Sequence, residues 1–192
     1  MDGNVRRTQS CLLFAGALAL AMANSAGAQS RVGSDSATRW TRFGRDVALG
    51  TVEGLGFSGI DQLSNSPPQW GRGWRGYEKR AASNLGEFYI QESVGEGLAA
   101  LMNRPLDYKR CGCGNTGERF WWAVRGAVTD QMPDGTHPLA VPRIVGAYAG
   151  SFAQAAWRPS NGADRTRVAL LNGTESLLIG AGINLFYEFR RR

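Results

Sequence analysis

Small residues recur four apart along this chain: Gly50 and Gly54, Ser93 and Gly97, Gly146 and Gly150. On a helix such positions lie on one face, so each pair makes a flat strip that a second helix can approach closely. The chain carries 26 glycines and 7 prolines in 192 residues, with no Gly-X-Y period that would make it collagen-like. Glycine inside a helix costs about 1 kcal/mol against alanine, so this spacing belongs where helices close on one another. The expectation is an all-α fold, a single compact bundle of about five helices with Gly-rich close packing. Packing within one bundle explains the pairs better than self-association, because several segments carry them and all must bury a face.

Apolar periodicity and Pro/Gly breaks place the helices at 40–63, 77–103, 118–132, 139–157 and 165–189. In the first, Phe43, Val47, Gly50, Gly54 and Phe57 fall near one face; in the second, Ile90, Val94, Leu98 and Leu101 form a stripe. Phe120, Val124, Ala127 and Val128 are expected inward in the third. Pro133-Asp134-Gly135 reads as a turn, Pro142 fits only the first turn of the fourth helix, and Asp164 is placed to cap the fifth. A rival exists for the end of the chain. Ile179, Ala181, Ile183, Leu185, Tyr187 and Phe189 alternate with polar or small residues, a strand period that would suit a small outer-membrane β-barrel. Phe186 breaks that alternation, Arg190-Arg191-Arg192 follows the last Phe, and the chain is poor in β-branched residues. Helix is therefore the reading. No stretch past residue 28 is apolar and uncharged over the roughly 18 residues of a membrane span; the longest runs over 144–157.

Residues 1–28 read as a cleaved secretory signal peptide. Arg6 and Arg7 supply the positive start, residues 11–23 the apolar run of about 7–15 residues, and Ala26-Gly27-Ala28 the small cleavage site. A polar tail, 29–38, leads into one helical domain over 39–192. This places the protein in the periplasm or outside the cell. Lys plus Arg number 22 against 16 Asp plus Glu, for a net charge of +6, and only Lys79 and Lys109 are lysines. Arginine stays charged and pairs well with carboxylate or phosphate. The expected partner is an anionic membrane surface or envelope polymer, with the protein peripheral to the membrane. Nucleic acid is excluded because the arginines are scattered and the compartment is wrong.

Candidate chemistry is sparse. Cys111-Gly112-Cys113 reads first as a local disulfide in an oxidising compartment; with His137 it offers too few ligands for zinc, so no metal and no cofactor is expected. Glu92 and Glu96 lie one turn apart and could work as acid and base, although arginine partners such as Arg125 or Arg143 fit them as well. His137, beside Pro138 in a turn, is the remaining acid/base candidate. Gly56-Phe57-Ser58-Gly59 falls one residue short of a nucleophile elbow, and there is no phosphate-binding loop. Trp70, Arg72, Trp74 and Arg75 interleave aromatics and cations in an irregular Gly-rich loop, suited to stacking on sugars, to a headgroup layer or to covering the bundle.

Tyr77-x-Lys79-Arg80 opening a helix, Asp107-Tyr108 after a helix stop, Asp134-Gly135 followed by Pro142-Arg143-Ile144, Trp157-x-Pro159 and the ending from Asn184 to Glu188-Phe189 together resemble small exported proteins of acidobacteria. The resemblance spans about 68–189 and implies export and a helical layout, but no reaction. The chain departs from that group at Cys111-Gly112-Cys113, where a His-Glu-Asp-Pro-Arg-Tyr-like stretch is expected. The sequence reading is thus an exported structural or binding protein of the cell envelope. An envelope enzyme using the paired carboxylates or the cysteines, or a β-barrel, are the alternatives.

Overall fold

The computed structural model describes residues 36–160 and 164–190. The expected signal peptide and most of the expected tail lie outside them. Among the described residues five helices follow in order: α1 (Ser36–Ser64), α2 (Trp74–Leu101), α3 (Thr116–Arg125), α4 (Val141–Trp157) and α5 (Arg165–Phe189), with one short 3-10 turn at Pro68–Trp70. The fold is all-α; among the described residues there is no strand, only a bridge between Thr129 and Leu139. The last segment, with its two competing periods, is helical throughout. Asp164 caps it as expected, its Oδ1 accepting from the Thr166 N–H at 2.9 Å.

Two compact units divide these residues, one made of 36–88 and 157–160, the other of 89–156 and 164–190. In the first, α1 sets its small residues against Leu85 and Phe88 of α2. Gly50, Gly54 and Ser58 are buried in register four apart, and a Cβ on Gly50 would fall 2.0 Å from Phe88 Cζ. Leu63, Val52 and Leu55 of α1 are exposed. The Trp/Gly/Arg segment is more regular than expected, because α2 already begins at Trp74. Arg80, fully buried, ties that segment down: its guanidinium donates to the carbonyls of Ser66, Pro67 and Gly71 at 2.8, 2.9 and 2.8 Å, and to Gln62 Oε1 at 2.6 Å. Four residues before Arg80, Gly76 packs so tightly that a Cβ would meet Gly71 O at 2.5 Å.

In the second unit α2 meets α4 at Gly95 and Gly146. A Cβ on Gly146 would lie 2.7 Å from the Gln91 carbonyl and 3.1 Å from Gly95 Cα. Two expectations are corrected here. Ser93 and Gly97 face solvent, and Leu101 is 85 % exposed; the inward stripe of α2 runs one residue on, through Gly95 and Ala99. Small residues, not bulky ones, sit at the closest approach because only they let two backbones come that near. The third helix ends at Arg125, earlier than 132, since Ala127 and Val128 turn in tighter hydrogen bonds toward the Thr129–Leu139 bridge. Phe120 and Val128, expected inward, are exposed. Pro142 does sit in the first turn of α4.

The core of both units is small and polar. Among the described residues the buried apolar side chains are prolines and alanines, such as Pro142, Ala81, Ala99, Ala123 and Ala147. Buried beside them are Ser58, Arg80, Asp130, Gln154, Asn184 and Glu188.

Candidate functional site

The second unit carries an open groove of 1010 Å³ between α3 and α5. Its position follows from how the two helices are fixed. Asn115 caps α3 by accepting the Gly117 N–H at 2.9 Å. Trp122 donates its indole N–H to the Lys109 carbonyl at 2.9 Å, which pins the preceding loop to the helix. On the far side, Asn184 of α5 donates to the Ala123 carbonyl at 3.2 Å. The walls are then Trp121, Val124 and Val128 against Leu177, Leu178 and Ala181, with Cys111 and Cys113 along one margin. The two cysteines are joined as a disulfide with Cα atoms 5.1 Å apart.

Beneath this face lies a buried carboxylate that sequence reasoning did not single out. Glu188 accepts from the Tyr108 hydroxyl at 2.7 Å, from the Cys111 N–H at 3.0 Å and from Arg119 Nε at 3.0 Å. Arg119 also donates to the Glu188 carbonyl and lays its guanidinium over the Phe189 ring. Burial works to raise the Glu188 pKa, but these donors and the Arg119 charge outweigh it and hold the carboxyl below its ordinary range. The same contact pushes the Tyr108 hydroxyl upward, first through burial and then through its bond to Glu188. The missed signal was positional. Gly173, Ala181, Asn184 and Glu188 make the buried stripe of α5, so a glutamate spaced with small and amide residues marked the inward face.

A second buried acid, Asp130, follows α3. Burial raises its pKa, against the opposing charges of Arg143 and Arg104; Arg104 Nη1 reaches its Oδ2 at 3.4 Å.

The other candidate residues are dispersed. Glu92 and Glu96 stand half-buried on α2. The Glu92 charge acts on Arg143, as the spacing suggested, while Arg143 itself donates to the carbonyls of Gly126 and Leu106 at 2.6 and 3.0 Å. His137 sets its ring edge-on to Trp122, centres 4.9 Å apart. None of these three lines the groove. In the first unit Trp74 is 72 % exposed and stacks on Tyr77, with Arg72 and Arg75 exposed beside it. Trp70 is instead half-buried under the Arg158 guanidinium. Among the described residues no group of three His, Cys, Asp or Glu side chains is placed to hold a metal ion. Compared with models of known families, with curated proteins and with solved structures, the chain gives no match.

What distinguishes this face is an inverted helix. The inward stripe of α5 is small and polar, whereas Leu170, Leu171 and Leu178 are 47, 58 and 67 % exposed. Trp121 of α3, 69 % exposed, continues the apolar surface across the groove. By length and composition α5 is also long and apolar enough to cross a membrane, against the expectation from uncharged runs alone. A single Glu175 interrupts the uncharged run, whereas a mean hydropathy taken over 18 residues passes over it.

Proposed function

We propose that this protein is a peripheral membrane-binding protein of the cell envelope, resting on an anionic lipid surface through the α3–α5 face. The observation that carries the reading is the inversion of α5, which exposes Leu170, Leu171 and Leu178 while its fully buried residues are small or polar. Contiguous exposed apolar surface of this kind is rare on a freely soluble monomer and marks an interaction site. Lipid as the covering agent accords with the basic balance of +5 that remains of the chain's +6 without Arg6, Arg7 and Asp2, which an anionic leaflet attracts. Glu175 is exposed one turn from both Leu171 and Leu178, so the same face keeps a charge. That suits a helix lying in the interface, apolar side down, better than one crossing the hydrocarbon. The leader-like residues 1–28 and the resemblance to exported proteins support a location beyond the inner membrane.

Flotation of the full chain with vesicles containing phosphatidylglycerol tests this. At high salt, where charge attraction is screened, the chain is expected to rise with the vesicles, and a variant carrying Trp121→Glu and Leu178→Glu to stay below with an unchanged helical circular dichroism spectrum. A parent chain that stays below, or a variant that floats equally well, overturns the proposal.

A further inference from the structure

We infer that the groove between α3 and α5 is a lipid-tail site that takes one acyl chain of an anionic phospholipid, its headgroup resting on Arg125; this builds on the membrane-surface reading. The volume of 1010 Å³ is at the upper end of the roughly 300–1,000 Å³ typical of small-molecule sites. Most of the lining is carbon, from Trp121, Val124, Val128, Leu177 and Leu178, with Thr174 of α5 among the few uncharged polar side chains. Its charges sit apart. Glu118 lines it from the first turn of α3 and Arg125 from the last. At 1.5 Å per residue they stand about 10 Å apart along the helix.

That polarity orients a guest. An acyl chain with an anionic head gains by laying the head at Arg125, away from Glu118, and loses by the reverse. Arg125 is exposed and forms no ion pair among the described residues, so its planar guanidinium is open to two phosphate oxygens at once. An uncharged chain would fill the walls equally well but gain nothing at that end. A second copy of this chain is the rival occupant, since a two-fold axis could set Arg125 of each copy near Glu118 of the other. Two concave grooves placed face to face leave a void, however, whereas a flexible chain fills one.

The test uses lysophosphatidylglycerol, a single acyl chain with an anionic head, kept below its aggregation concentration and titrated into the full chain without vesicles. Native mass spectrometry and tryptophan fluorescence follow uptake. One molecule per chain is expected. Arg125→Gln should weaken binding about tenfold, close to 1.4 kcal/mol, and lysophosphatidylcholine should bind the parent more weakly by a similar factor. Lys79→Gln, the same loss of charge on α2, should leave uptake unchanged. Thr174→Trp, which puts an indole into the groove from α5, should abolish uptake while the thermal transition persists. A chain that floats with vesicles yet takes up no monomeric lysolipid overturns the groove assignment and leaves the surface reading standing. Uptake without flotation supports the groove and removes the surface reading. Equal affinities for parent and Arg125→Gln, or a dimer that excludes the lysolipid, also overturn the assignment.

Discussion

Glu188 illustrates how one residue can join three pieces of chain. Tyr108 and the Cys111 N–H reach it from the loop before α3, Arg119 from α3 itself, and its own backbone ends α5. Its pKa in the folded state is depressed. Ionisation therefore favours folding above the unfolded value of about 4.3, and the contribution drains away as pH falls through the folded value. Glu188→Gln removes the charge but keeps the volume. It is expected to cost about 2 kcal/mol at neutral pH, the scale of hydrogen bonds to a charged group. In urea titrations the gap between parent and variant should close as the pH drops below about 4. A gap that persists in acid would mean the side chain matters only through its shape. Asp130 acts with the opposite sign: burial raises its pKa, so its own contribution to stability improves on acidification and cannot produce that closing gap.

At the scale of the helix, the periods in the sequence predicted where elements lie better than which residue within them meets a neighbour. The bounds of α5 and its Asp164 cap were legible because a capping aspartate and a long apolar period leave few alternatives. For α2 the stripe was misread by one residue, toward Ile90, Val94 and Leu98, since hydrophobic spacing assumes that large side chains turn inward. Here the closest approach needs Gly95 against Gly146, and the bulky neighbours are displaced to the flanks. The short α3 was overextended because its end depends on the Thr129–Leu139 bridge, a contact between residues on either side of a turn. Of the site, the cysteine pair was visible from spacing, but a groove made by two helices distant in sequence was not.

The glycines give the check. Gly146→Ala would press a methyl onto the Gln91 carbonyl and Gly95, backbone that cannot step aside, and should cost about 1–3 kcal/mol or more. Gly97→Ala has open space around it and should stabilise α2 by about 0.5–1 kcal/mol. Thermal melts of both variants would test this, and equal effects would refute the assignment of the contact face.

Over the whole molecule, the same inversion recurs in each unit: alanine, serine and buried charge inside, and residues such as Leu63, Trp74, Trp121 and Leu178 outside. A water-soluble chain normally does the reverse, because burying a large apolar side chain contributes about 1.5–3 kcal/mol. The excess of arginines and the outward leucines would act on a membrane over different distances. Attraction of arginines to an anionic leaflet is long-ranged but screened, with a Debye length of about 10 Å at 0.1 M salt and about 3 Å at 1 M. Apolar contact is short-ranged and insensitive to that screening. Binding to phosphatidylglycerol vesicles should therefore fall as salt rises and then level off above zero. With neutral phosphatidylcholine vesicles only the salt-independent part should remain. Trp121→Glu with Leu178→Glu should lower the plateau and leave the salt-sensitive part. Complete release of the parent at high salt would show that charge alone holds it to the surface, and the outward leucines of α5 would then need another partner to cover them.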